Sequence, residues 1–204
     1  MNERSLSILL AGWAVACAPA LEANDDTADD EVVDPRNGPN VEHLEQRDDG
    51  AWLTRVDATA EDTWVYLDLA DGGQLEVAEP GEEFDWDIAF QRFHVKINGG
   101  TSGPADAAAA RLDGADFGAL TLAPADGYRT DELDGEDDDE HPDYALRDWY
   151  DYDFMTHILT PAAAVYVLRI GDTGEHYRIE FQNYYDDAGS SGYQTFLWSP
   201  IEAE

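Results

Sequence analysis

The chain has 204 residues, enough for one domain of ordinary size, and 43% of them are hydrophobic, so a real core can form. Its formal charge of -35 repels nucleic acid and anionic bilayers, which argues against a phosphate-binding role. Lys96 is the sole lysine and Cys17 the sole cysteine, so no intramolecular disulfide can hold the fold together.

Ser5 to Ala16 is an almost continuous apolar or small-residue run, too short to span a bilayer but suited to the core of a signal peptide. It ends in Ala14-Val15-Ala16-Cys17, the pattern of a lipoprotein signal. Residues 1–16 are therefore expected to be removed, leaving Cys17 acylated as the mature N-terminus of an exported, envelope-anchored protein. An ordinary secretory signal with a coincidental cysteine, or a free buried thiol, is the other reading of these residues. Residues 17–50 follow as an acidic, disordered tether. From Leu21 to Gly50 eleven carboxylates face only Arg36 and Arg47, and such a composition cannot offset the entropy of ordering.

Residues 51–204 carry the folded domain. Trp64 to Leu69 is a strand ended by Asp71-Gly72-Gly73. Phe84 to Asn98 reads as one long strand whose apolar face changes midway. Trp86, Ile88 and Phe90 occupy even positions, and Phe93, Val95 and Ile97 odd ones, so a bulge, a bend or burial on both faces is expected. Past the switch Arg92, His94 and Lys96 share one face, either pairing with carboxylates across strands or forming a small anion-binding stripe. Gly99-Gly100-Thr101-Ser102-Gly103 is a glycine-rich loop without the Lys-Ser/Thr of a phosphate-binding loop. The alanine run from Ala105 to Leu112 favours a short helix by propensity.

Asp131 to Asp143 holds nine acidic residues, but Leu133 stands where an EF-hand needs an oxygen ligand. A solvated loop is expected there, with weak calcium binding as the other possibility. Ala164–Ile170, Glu175–Tyr185 and Tyr193–Trp198 then form successive hairpins joined by glycine-rich turns. Tyr177, Ile179 and Phe181 alternate with His176, Arg178 and Glu180, as in a half-exposed strand. Together these elements predict an all-β, antiparallel domain with a few short helices. No H-E-x-x-H, G-x-S-x-G or C-x-x-C pattern exists, so the residues point to a binding module and not to an enzyme.

Two segments resemble the HmuY family of envelope lipoproteins. One is Trp86-Asp87-Ile88-Ala89-Phe90-Gln91-Arg92-Phe93 leading to Asn98-Gly99-Gly100-Thr101-Ser102-Gly103. The other runs from Trp149-Tyr150-Asp151-Tyr152 through Thr156-His157-Ile158-Leu159-Thr160-Pro161 and Tyr166-Val167-Leu168-Arg169 to Tyr184-Tyr185 and Gly192-Tyr193-Gln194-Thr195-Phe196. The likeness covers roughly residues 50 to 200. It implies an HmuY-like sheet domain, and haem captured for iron acquisition through two axial histidines or methionines. It also implies delivery to an outer-membrane transporter and contact with the membrane through the lipid anchor only.

His157 is the first candidate ligand. Met155 lies two residues before it, on the same face of a strand, as an alternative rather than an opposite partner. His141 and His94 are further candidates, whereas His43 falls in the tether and His176 on an exposed hairpin face. A hydrogen-bonded structural role is the other reading of His157. Arg92 and Lys96 are candidates for the haem propionates, as are Arg147 and Arg169. The same fold binding a different ligand or a protein partner, without haem, is the competing expectation.

Overall fold

The computed structural model describes residues 36–133, 142–171 and 173–203. The expected signal sequence, Cys17 and His141 lie outside the described residues, as does most of the acidic loop. Among the described residues the chain forms twelve strands and no helix. Six make an antiparallel sheet in the order β1 (Val41–Gln46), β2 (Trp52–Asp57), β12 (Ser191–Ile201), β11 (His176–Tyr185), β10 (Ala164–Arg169), β7 (Ala108–Asp113). Four make a second antiparallel sheet in the order β4 (Gly73–Leu75), β3 (Val65–Asp68), β5 (Ile88–Gln91), β6 (His94–Ile97). The hairpin of β8 (Tyr150–Asp153) and β9 (Ile158–Pro161) stands apart as a third.

Strand alternation builds one core between the two larger sheets. Tyr166 and Leu168, Tyr177, Ile179 and Phe181, and Phe196 and Trp198 are buried on one face of the six-stranded sheet. They join Val65, Leu67, Ile88, Phe90, Val95 and Ile97 of the four-stranded sheet in a single apolar cluster. Phe90 stacks on Phe196 at 5.2 Å between ring centroids, which locks the two sheets together.

The change of apolar face between Phe90 and Phe93 is a hairpin, not a bulge in one long strand. Ile88 pairs with Ile97 and Phe90 with Val95, so the even and odd sets meet on one face once the chain reverses at Arg92-Phe93. The turn was hidden because Arg92, with φ 51°, occupies a conformation usually left to glycine or asparagine. It is held there by bonds to the other sheet. The Arg92 N–H donates to the Ala58 carbonyl at 2.7 Å, and its guanidinium donates to the Thr59 carbonyl and the Ser191 hydroxyl, each at 3.2 Å.

Two further expectations are corrected. The alanine run is strand β7, paired with β10 from Ala108↔Arg169 to Asp113↔Ala164, and not a helix. Helix propensity is a weak local preference, and here the sheet edge supplies six paired residues while Ala107 and Ala109 enter the core. The ordered domain also begins before residue 51, because β1 lies inside the stretch read as tether. Val41 and His43 are buried on its inner side, and Glu42, Leu44 and Glu45 face outward, as suits an edge strand. His43 is structural: its ring bonds the Thr54 hydroxyl at 2.8 Å and the Gly72 carbonyl at 2.7 Å.

The glycine-rich loop serves close packing. A Cβ on Gly99 would stand 2.0 Å from the Ala107 carbonyl oxygen, and one on Gly100 1.8 Å from that of Asp131. Asp131 ties this loop to its neighbours. Its buried carboxylate accepts the Ile97 N–H at 2.9 Å and the Ala145 N–H at 2.8 Å, while its carbonyl accepts from Thr101 at 2.9 Å. Burial pushes its carboxyl up to about 6, against the pull of the backbone donors and of Lys96. Lys96 is itself buried, above Trp64, Tyr66 and Trp86, with its ammonium donating to the Tyr66 hydroxyl at 3.1 Å. Burial brings its amine down to about 8, opposed by the Asp131 charge.

Two predictions follow from this knot. Asp131→Asn is expected to cost roughly 1–3 kcal/mol at pH 7, since an amide cannot accept from both N–H groups. Because the folded carboxyl titrates above its unfolded value, the stability it contributes is full at low pH and lost as pH rises through about 6. The gap between wild type and Asp131→Asn in chemical denaturation should therefore widen as pH falls from 7 to 5; a gap independent of pH would show that the carboxylate stays charged. Gly100→Ala should cost on the order of 3 kcal/mol or more, because φ is 61° and a backbone oxygen fills the space; retention of the wild-type melting temperature would contradict this.

Candidate functional site

The β8–β9 hairpin presents the most exposed apolar surface of the domain. Its sequence dictates a tight tip: the Asp153 side chain accepts the Met155 N–H at 2.8 Å, and the Asp153 carbonyl accepts the His157 N–H, also at 2.8 Å. The Met155 N–H, with the side chain and N–H of Thr156, holds the Asp153 carboxyl below its ordinary value. His157 closes the loop with φ 57°, a left-handed conformation that a histidine adopts only where its surroundings fix it. The base is anchored by the Tyr185 hydroxyl, which accepts the Leu159 N–H at 2.9 Å, and by Tyr150 packed edge-on to Trp149 at 5.1 Å.

At the tip, Phe154 is 79% and Met155 89% exposed, with Tyr152 and Ile158 beside them also exposed. Tyr152 lies edge-on to Phe154 with centroids 5.0 Å apart, and its hydroxyl is 2.5 Å from Nδ1 of His157. With Nδ1 carrying the proton, the ring donates to the Tyr152 oxygen and Nε2 keeps its lone pair for another partner. Imidazoles that bind metal are commonly held in this way by a bond at the other nitrogen. The donor set thus fits a metal-centred, flat apolar ligand: an oriented, solvent-reachable imidazole, a thioether two residues away, and exposed aromatic surface around both.

The other candidates are placed elsewhere. His94 opens β6, half-buried, its ring 4.2 Å from Phe93 and 5.9 Å from Tyr144. It belongs to a groove with Tyr144, Arg147 and Tyr150 at the base of β8, whereas His157 and Met155 occupy the hairpin tip. At about 3.3 Å per residue, the length of β8 puts roughly 10 Å between base and tip. Arg92 and Lys96 do not form a cationic stripe with His94, contrary to the reading of one continuous strand. Arg92 is spent on the turn, and Lys96 is enclosed by aromatic rings on the face opposite the core. Arg147 pairs with Asp143, and His176 is half-buried beside Tyr128. Sequence reasoning overlooked Tyr152, Phe154 and Asp153. The alternation of acidic and aromatic residues in Asp151-Tyr152-Asp153-Phe154, with an aspartate placed to cap the turn, was the available signal.

Comparison with known proteins agrees with this architecture. The family model described as HmuY protein matches residues 60–198. No curated protein matches the chain by sequence. Among solved structures, an apo HmuY analog from Tannerella forsythia is 18% identical with a TM-score of 0.58, covering 73% of this chain and 94% of that one. A candidate lipoprotein from Bacteroides fragilis is 24% identical with a TM-score of 0.56, covering 76% and 93%. A candidate HmuY-like haem-binding protein from Bacteroides vulgatus is 23% identical with a TM-score of 0.52, covering 74% and 93%. At these identities the likeness is one of fold, and it spans nearly the whole of each relative. With twelve antiparallel strands in place and the family model covering most of the ordered domain, the chain belongs to the HmuY family.

Proposed function

We propose that this protein is an envelope lipoprotein that captures haem at the β8–β9 hairpin and passes it to an outer-membrane transporter. The observation that carries the reading is the Tyr152–His157 bond, which orients an exposed imidazole amid exposed Phe154 and Met155. Family membership supports it, as does the haem-binding description of the Bacteroides vulgatus relative. The iron of a bound haem would supply the coordination bond. This chain's residues supply the rest: Tyr152 orients the ring, Phe154 and Met155 offer apolar surface, and Asp153 holds the loop that carries them. Acylation at Cys17 would keep the domain at the membrane, and the acidic segment after it would give the domain reach.

The competing reading, the same fold serving a ligand other than haem, rests on a specific observation. Asp151 and Asp153 flank the aromatic tip, and both are exposed. Haem carries anionic propionates, so these carboxylates would favour a ligand of lower negative charge unless the propionates point away from the loop.

Haemin titration of the purified chain lacking residues 1–17, read by Soret absorbance, separates the two. Haem capture predicts a saturable, red-shifted band that His157→Ala abolishes. Tyr152→Phe should weaken it roughly 10-fold or more, by releasing Nδ1. A titration indistinguishable from buffer would sink the haem reading and leave the family assignment intact. Full haem affinity in His157→Ala would move the site off the hairpin tip.

A further inference from the structure

Where the chain leaves β2 in the six-stranded sheet and enters β3 in the smaller one, it bounds a cavity of about 200 Å3. The cavity shares no residue with the β8–β9 hairpin or with the groove at His94. One part of its wall is apolar: Trp64 and Tyr66 pack with Leu75 and Val77 on the sheet face opposite the core. The rest is polar, from Asn40, Asp57, Gln74 and the exposed Glu76. Clefts that take drug-sized ligands run to roughly 300–1,000 Å3, so the occupant of this one is smaller.

The polar groups are held in place and still keep bonding capacity. The Gln74 side-chain oxygen accepts the Asn40 N–H at 2.9 Å, and its amide nitrogen has only a long contact to Asn40, at 3.4 Å. Asp57 Oδ1 accepts the N–H and the hydroxyl of Thr59, at 3.1 and 2.6 Å. Among the described residues no donor reaches Asp57 Oδ2 or the Glu76 carboxylate. The carboxylates need a donor and the amide nitrogens an acceptor. A hydroxyl group is both.

Charge narrows the ligand further. Asp57 and Glu76 oppose an anion. Carboxylates beside aromatic rings would suit a cation, but Lys96 already holds that place. Its ammonium lies 4.3 Å from the ring centroid of Trp64 and 4.9 Å from that of Tyr66. What fits is a neutral, hydroxyl-rich molecule with an apolar C–H face to lay on an aromatic ring. We propose that this cavity binds a neutral saccharide, one pyranose ring against Trp64 with its hydroxyls bonded to Asp57, Gln74 and Asn40. A second cleft of about 440 Å3 adjoins it at Asn40 and Asp57, and gives room for further sugar units beside Arg55 and Tyr193. The site stands independently of haem capture.

The test is saturation-transfer difference NMR on the purified chain lacking residues 1–17. The probes are the methyl glycosides of glucose, galactose, mannose and N-acetylglucosamine. At least one should give a saturable signal concentrated on its ring C–H protons. Ala60→Trp, which fills the cavity from an exposed lining position, should abolish that signal and leave haemin binding unchanged. Asp57→Asn should weaken it about five-fold, by exchanging a charged acceptor for an amide. The melting temperature establishes that each variant is folded. Methyl glucuronide, which adds a carboxylate, and methyl glucosaminide, which adds an ammonium, should both bind more weakly than methyl glucoside. No signal from any neutral glycoside, or an equal signal in wild type and either folded variant, would overturn the site. Tighter binding of the glucosaminide than of the glucoside would overturn the choice of a neutral ligand.

Discussion

With no disulfide available and no helix among the described residues, the fold depends on the contact between the inner faces of its two larger sheets. That contact is apolar, and the alternation of each strand supplies one row of side chains to it. Shifting any of these strands by one residue would turn its row outward, so register is set strongly wherever both sheets meet. Phe90 against Phe196 sits at the centre of this contact. The Arg92 turn, two residues from Phe90, reinforces it from the side through polar bonds to Ala58, Thr59 and Ser191. A strained backbone at Arg92 is tolerated because leaving it would break three bonds that join the sheets.

Outside that core the chain uses buried charge to fix its connections. Lys96 lies opposite Ala89, whose small side chain leaves room for the ammonium to reach Tyr66, Trp64 and Trp86. Asp131 gathers β6, the glycine-rich loop and the segment entering Ala145 at one carboxylate. Arg178 fastens the loop through Phe117 and Leu120 over the opposite face of the large sheet. Each group loses hydration on burial; Asp131 and Arg178 recover it through several hydrogen bonds, and Lys96 through the Tyr66 hydroxyl and the faces of three aromatic rings. These are connections that the strand pattern alone would leave undefined.

The parts of the fold legible in sequence were those where period and composition agree. β3, β10 and β11 were read close to their bounds, and the middle of β12 was found, because β-branched and aromatic residues alternate between clear turn signals. β7 was misread because alanine favours helix locally, while the partner strand that overrides the preference lies more than fifty residues away in sequence. β1 was misread because an edge strand needs only one buried row, and Val41 and His43 were lost among surrounding carboxylates. The change of face signalled a bulge, a bend or two-sided burial near Arg92 but not a hairpin, because the tertiary bonds that hold the turn come from residues 58, 59 and 191. At the candidate site, His157 and Met155 were named from their residue types, whereas the bond that orients the imidazole comes from Tyr152. Its bond across the hairpin depends on a loop geometry that no periodicity encodes.

The exposure of the hairpin tip and the charge of the chain bear on one another. A surface holding Phe154 and Met155 in water would promote self-association in most proteins, and a strong like charge on every copy opposes it. That repulsion is screened over about 8 Å at physiological salt, so it acts between molecules more than within a close contact. A flat ligand seated by apolar contact and one coordination bond would feel the field mainly through Asp151 and Asp153, the two carboxylates inside that range along β8. Selectivity at such a site rests on where a ligand carries its negative groups. A molecule with its charge along one edge can turn that edge to solvent and still cover the aromatic tip, whereas one charged all round cannot. The acidic character that opposes self-association at the exposed tip would thus also filter the ligands that settle on it.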